Sequence, residues 1–361
     1  MQRNNIIYNP FIRTQDTTSR VMADVVVALL PSIVMAYMAF GVSALSLIAV
    51  SVGSALVAEF VFSLVFNHRI DTLGDGSAVV TGILLAFTLG AFTPLHVVSF
   101  GAATAVIFGK LLWGGLGRNV FNPALVGREF MTVFFPSVMT SGSIWWNMDA
   151  VNHTALHWTG NSLFNQLLFN PSGAVGEYSI AGLVLGGLYL LLRRRISWHI
   201  PFSLLAVFTV VLYFASDGWT HQMHFSLGGL ILGAVFMATD MPSSPSTPRG
   251  KCLYGALVGL TAALFIALGV KYEYMSWSIL LMNGAAPFIT RYLRPRVWGM
   301  KPNYGMQALQ MLGVCVAVVA ICLIAGRPWF SSLHMVQYLL YVLIAYCIVR
   351  FVWVDMKQST L

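Results

Sequence analysis

Twelve apolar stretches dominate this sequence of 361 residues, lying at about 21–41, 43–66, 75–92, 95–115, 120–138, 178–193, 199–216, 225–241, 252–270, 276–293, 306–326 and 332–354. A helix needs roughly 20 apolar residues to cross the hydrocarbon of a bilayer, with a range near 17–25. The composition agrees: 58% of the residues are hydrophobic, 9% are charged, and the mean hydropathy is +0.77. A soluble domain carries about 25% charged residues. The pattern therefore predicts an all-α polytopic membrane protein with about 10–12 transmembrane segments, solvated by the lipid bilayer.

The charged residues orient the chain. The formal net charge is +8, but the basic residues are scattered through short connections and form no stripe that would read as a nucleic-acid surface. Lys and Arg collect on the cytoplasmic side of membrane proteins. Arg3 to Arg20, His68-Arg69, Arg118, Arg193-Arg194-Arg195, Arg249 with Lys251, Arg294 to Lys301, and Lys357 all fall on one side of the twelve-span arrangement. Both termini are thus expected in the cytoplasm, and residues 1–20 form a polar cytoplasmic segment with no evident signal peptide. Val138 to Val175 holds no Lys or Arg. That loop is expected outside, with Trp145, Trp146 and Trp158 as interfacial anchors and Leu163 to Leu168 as a surface helix.

Several spans do not read as plain lipid-facing helices. The third opens on Thr72-Leu73-Gly74-Asp75-Gly76-Ser77 and the fifth on Arg118-Asn119-Val120-Phe121-Asn122-Pro123; the eighth ends at Thr239-Asp240, before three prolines. Broken backbone at membrane depth is tolerated where protein or a water-filled site satisfies it. Asn119-x-x-x-Pro123 is echoed by Asn283-x-x-x-Pro287 five spans later, the pattern expected of an inverted repeat. Ionisable residues within or at the edges of the spans are Asp24, Glu59, Asp75, Lys110, Arg128, Glu129, Glu177 and Asp240. Such charges are costly in lipid and commonly mark ion paths. Glu59 and Asp75 are the stronger ion-path candidates. Arg128 and Glu129 have a structural contact to another helix or subunit as their alternative, and Asp24 and Glu177 have interfacial exposure. The four cysteines lack metal-ligand spacing and read as small packing residues.

From about Asn9 to Gly299 the chain resembles the family of the D subunits of Rnf ion-translocating oxidoreductases, related to the B subunits of sodium-pumping NADH:quinone reductases. The resemblance rests on Asp75-Gly76-Ser77-Ala78-Val79-Val80-Thr81-Gly82 and on Gly114-Gly115-Leu116-Gly117-Arg118-Asn119-Val120-Phe121-Asn122-Pro123-Ala124. It continues through Gly176-Glu177-Tyr178-Ser179, Ile196-Ser197-Trp198-His199-Ile200-Pro201, Phe236-Met237-Ala238-Thr239-Asp240 and Arg294-Pro295-Arg296-Val297-Trp298-Gly299. Residues 21–300 thus make up the membrane domain, with the outer loop 138–175. Residues 301–361 add two C-terminal helices beyond the usual end of the family.

The resemblance implies a subunit of a bacterial inner-membrane complex, with the A, B, C, E and G subunits of the Rnf complex as partners. Electron transfer would be coupled to Na⁺ or H⁺ translocation. It also implies a flavin mononucleotide (FMN) joined covalently through its phosphate to a threonine in an outer loop carrying Ser-Gly-Ala-Thr, and a second, non-covalent flavin. This sequence departs from the motif. Ser172-Gly173-Ala174 is followed by Val175 and aligns with a later family stretch, whereas Asn152-His153-Thr154-Ala155-Leu156 stands where the flavin site is expected. Thr154 is therefore the expected attachment point, and Gly173 and Gly176 are either approach points for a flavin ring or turn residues. Asn119, Asn122, Arg128, Glu129 and Asp240 join Glu59 and Asp75 as residues of an ion path or helix-break site. Two other classes stay open: a non-redox assembly subunit that has lost the cofactor, and a flavin-free secondary transporter.

Overall fold

The computed structural model describes residues 16–67, 71–145, 173–214, 226–270, 273–294, 304–325 and 332–359. Helices make up the described structure and no strand occurs among these residues. Each of the twelve apolar stretches yields one main helix: α1 Thr18–Phe40, α2 Val42–Phe62, α3 Ser77–Phe87, α4 Leu95–Gly109, α5 Pro123–Phe134, α6 Ile180–Leu192, α7 His199–Phe214, α8 Leu227–Leu232, α9 Pro248–Ala267, α10 Tyr274–Tyr292, α11 Tyr304–Ala325 and α12 Ser332–Ser359. Among the described residues six helices are long and apolar enough to cross a membrane, and the chain is a multi-pass membrane protein.

The shorter helices are those that the polar breaks foreshadow. Helix α3 has 11 residues, about 16 Å at 1.5 Å per residue, so it cannot span the hydrocarbon alone. It starts where Gly76 takes a left-handed conformation (φ 76°) after a 3-10 turn over Asp71–Asp75. Helix α5 starts at Pro123, and the Asn122 side chain caps it by accepting from Ala124 N at 3.0 Å and Leu125 N at 3.4 Å. Proline at the first helical position needs no amide partner there. The eighth stretch makes one short helix and then a π-helical turn over Gly233–Met237. All three are lined by buried residues, as backbone breaks in a membrane require.

The helices approach closely because small residues sit at their crossings, the usual packing device when lipid supplies no hydrophobic force between helices. Along the α7–α9 contact, a Cβ at Gly255 would lie 2.6 Å from Ile200 O, and Gly259 has no room against Leu204. Between α2 and α3, Ser51 Oγ donates to Gly82 O at 2.7 Å, and a Cβ at Gly82 would meet Val52 Cα at the same distance. Helices α1 and α6 meet in the same way, through Ala28, Ser32, Gly182 and Gly186.

The two echoed asparagine–proline segments occupy unlike positions. Asn122-Pro123 opens a helix, while Asn283 and Pro287 lie inside α10. The end of the 138–175 loop is tucked into the protein: Val175 N donates to Leu89 O at 2.8 Å, and Gly176 abuts the Phe87 ring. Gly173 has a φ of 137°, a conformation that favours glycine. Trp146, Trp158, the Leu163–Leu168 segment and Thr154 lie outside the described residues.

The two C-terminal helices lie at the periphery. Helix α11 packs on α9 and α10, and α12 packs on α5 and the turn at Leu111–Trp113. The Arg350 guanidinium sits 4.7 Å over the Trp113 ring, and Phe351 meets Phe62 and Phe66 edge-on.

The tight crossings give a direct test. Gly259→Ala is expected to lower stability by about 1–3 kcal/mol through overpacking against α7. Gly53→Ala has open space around its new methyl and is expected to raise stability by up to about 1 kcal/mol through helix propensity. Thermal unfolding of the two variants in detergent should show shifts of opposite sign.

Candidate functional site

Three polar clusters sit among the helices, and each joins elements far apart in sequence. The first gathers around Lys110, just past the end of α4. Lys110 Nζ lies 2.7 Å from Glu59 Oε1 on α2 and 3.7 Å from Asp75 Oδ2, and it also donates to Ser77 Oγ. Lys110 and Glu59 are 1% and 0% exposed, whereas Asp75 keeps 19%. A lysine this deep is tolerable because carboxylates balance it. Asp75 Oδ1 also accepts from Ser77 N at 2.7 Å, which ties the charge cluster to the start of α3. Both carboxylates proposed from sequence for an ion path thus share one ammonium.

The second cluster lies at the start of α5. Asn119 Nδ2 donates to Asp240 Oδ2 at 3.3 Å, and Ser243 Oγ donates to the same oxygen at 2.8 Å. Asn122 Nδ2 donates to Met237 O at 3.1 Å, next to the π-helical turn. Asn283, from the middle of α10, accepts from Asn122 N at 3.0 Å and turns its amide nitrogen toward the Tyr254 hydroxyl (2.6 Å) and Ser243 O (3.2 Å). The two echoed asparagine segments therefore meet in space. The buried Asn119 Oδ1 has no hydrogen-bond partner among the described residues. An orphaned buried acceptor is costly, and here it marks an unfilled valence in an otherwise connected network.

The third cluster divides two sequence neighbours. Arg128 makes a bidentate pair with Glu273, Nε to Oε2 at 2.8 Å and Nη2 to Oε1 at 3.0 Å, and donates through Nη1 to Thr88 O. This fork matches the carboxylate plane and fastens α5 to the start of α10, which is the helix-contact alternative for Arg128. Glu129 turns elsewhere: its Oε2 accepts from Trp277 Nε1 at 3.1 Å. Near the N-terminal end of α1, Asp24 is bridged by Arg195 at 2.6 Å and Arg193 at 3.3 Å, so it is paired rather than simply exposed. Arg195 also reaches Asp16 at 2.8 Å. Its hydrogen bonds and charge hold the Asp16 carboxyl below the usual aspartate value.

Sequence reasoning brought Asn119, Asn122 and Asp240 to notice, and the structure joins them. It missed Glu273, Ser243 and Tyr254, and it did not connect Lys110 with Glu59 and Asp75. The unmatched charge of Arg128 within an apolar stretch was the available signal for Glu273, since a buried guanidinium requires a carboxylate or carbonyls nearby. Among the described residues no group of His, Cys, Asp and Glu is arranged to hold a metal. The described cysteines are free thiols, two buried and two half-buried.

Comparison with known proteins matches residues 5–299 to the model of the NQR2, RnfD, RnfE family. Among similar proteins, the D subunit of the Na⁺-translocating ferredoxin:NAD⁺ oxidoreductase complex of Acetobacterium woodii is 37% identical, over 81% of this chain and 94% of that protein. The D subunit of the proton-translocating ferredoxin:NAD⁺ oxidoreductase complex of Clostridium ljungdahlii is 32% identical, over 81% of this chain and 95% of its own length. The D subunit of the ion-translocating oxidoreductase complex of Erwinia tasmaniensis is 31% identical, over 81% and 98%. The family match stops at residue 299, before α11 begins.

The Lys110 cluster can be probed by a double-mutant cycle. Lys110→Met leaves Glu59 buried without its counter-charge and is expected to cost about 3–5 kcal/mol. Adding Glu59→Leu removes the stranded charge, so the double variant should recover a large part of that loss. Unfolding of the purified chain in detergent measures both steps.

Proposed function

The chain belongs to the NQR2, RnfD, RnfE family, and from that premise we propose that it is a membrane subunit of an Rnf-type ion-translocating oxidoreductase complex. In this reading it carries electrons through flavin and couples their passage to movement of Na⁺ or H⁺. The observation that carries the proposal is the match over residues 5–299, with relatives covered along 94–98% of their length. The other subunits of such a complex would be its partners, and the inner membrane of a bacterial cell its location, with both termini cytoplasmic. The clustering of Arg193, Arg195 and Asp16 near the start of α1 supports that orientation, because basic residues favour the cytoplasmic face.

Thr154 is the residue that would hold FMN through a phosphoester. For a second, non-covalent flavin, the Asn119–Asn122–Asp240 cluster has fitting chemistry. Asn119 Oδ1 is a buried acceptor without a donor, as an imide N–H of a flavin ring would require. Flavin supplies one-electron steps when bound, while the protein fixes its position and tunes its surroundings. Asn119 Oδ1 would accept from the ring edge, while Asp240 and Asn122 hold the Asn119 segment in place. Glu59, Asp75 and Lys110 form a charge set with two carboxylates and one ammonium. A Na⁺ or a proton arriving there would neutralise the excess negative charge, which is what coupling to an ion demands of a site within a membrane.

Intact mass and peptide mapping of the subunit purified from assembled complex test the flavin assignment. The expected result is an FMN adduct on the peptide containing Thr154, with in-gel flavin fluorescence that disappears in Thr154→Ala. An unmodified peptide in electron-transferring complex, with turnover unchanged in Thr154→Val, would favour the assembly-subunit reading instead.

A further inference from the structure

A cleft of about 630 Å³ lies between the family core and the two C-terminal helices. Its inner wall is formed by Phe121 and Glu129 of the α5 region and by Trp277 and Gly284 of α10; its outer wall includes Leu340 and Tyr346 of α12. Ligand pockets commonly have 300–1,000 Å³ and an apolar lining with a few placed polar groups. Here the lining is almost wholly apolar and rich in aromatic rings. Tyr346 is 55% exposed, so the cleft communicates with the surface that faces lipid.

Glu129 decides what fits. It is 4% exposed, and its Oε1 has no hydrogen-bond partner among the described residues. The two indoles of the lining cannot satisfy it. Trp277 Nε1 is already given to Glu129 Oε2, and Trp113 Nε1 donates to Phe108 O at 2.9 Å. The pocket therefore presents an acceptor that neither indole nor the Tyr346 hydroxyl of the outer wall meets. Glu129 stands six residues beyond Pro123, in the middle of the apolar stretch 120–138, where a charged head group is costly.

We propose that the cleft between α5, α10 and α12 binds an uncharged, membrane-dissolved amphiphile whose terminal hydroxyl donates to Glu129 Oε1 while its apolar body lies along the aromatic wall. The site depends on residues beyond the family match, since α12 supplies the outer wall. It is independent of any flavin on this chain.

The test uses the full chain in native membrane vesicles and a farnesol probe carrying a diazirine and a terminal alkyne. The methyl ether of the same probe serves as the donor-free control. After irradiation, labelled peptides from α5, α10 and α12 are quantified by mass spectrometry. The alcohol is expected to label about five-fold more than the ether, the worth of about one hydrogen bond. Glu129→Leu should abolish that preference. Gly284→Leu, whose added Cβ meets nothing nearer than Phe121 Cε1 at 3.8 Å, should fill the cleft and suppress labelling by both probes. Equal labelling by alcohol and ether in the unmodified chain would make the cleft a non-selective lipid crevice and overturn the proposal, as would labelling that persists in Gly284→Leu. Should Glu129→Leu fail to accumulate, the ether comparison and Gly284→Leu decide the matter.

Discussion

Hydrocarbon offers no hydrogen bonds, so every polar group that this chain carries into the membrane must find its partner within the protein. The three interior clusters are the answer to that demand. Lys110 joins α2, the start of α3 and the end of α4; Arg128 joins α5 to the start of α10. Neither pair needs to be stabilising relative to an apolar substitute. Each nevertheless fixes which helices stand together, because separating them would strand a charge in a medium that cannot solvate it. Close glycine crossings then bring the backbones into contact and leave little freedom in register.

Around the second cluster the same demand meets broken backbone. Helix α5 begins inside the protein, and its first amides are capped by Asn122. The N-terminal end of a helix carries partial positive charge, and Asp240 is tied beside it through Asn119. Two backbone breaks, the start of α5 and the π-helical turn after α8, are thereby closed against each other by Asn122 and Met237 O. The arrangement is nearly saturated. Two acceptors near α5 are left over, Asn119 Oδ1 before its first turn and Glu129 Oε1 at the end of its second, and they point to different chemistry.

Much of this was legible in the sequence, and the reasons differ by feature. Apolar length reports a span directly, so each stretch from 21–41 to 332–354 produced its helix. Gly76, Asn122-Pro123 and the prolines after Asp240 report breaks, because their backbone preferences are local. What the sequence concealed was pairing. Glu273 lies 145 residues from Arg128, and Lys110 lies 51 from Glu59; only tertiary packing decides such partners. The apparent echo of Asn119 and Asn283 was legible as a pattern, but the residues prove to be neighbours in different helical settings. Thr154 depends on a loop outside the described residues and stands on the resemblance alone.

Helix α12 has one further effect. By lying along α5 and clasping Trp113 with Arg350, it occupies one flank of the family core. That flank is therefore covered by α12. Any neighbour approaching the core from this side meets the outer face of α12 first, so the two extra helices change the outline that the core presents within the bilayer.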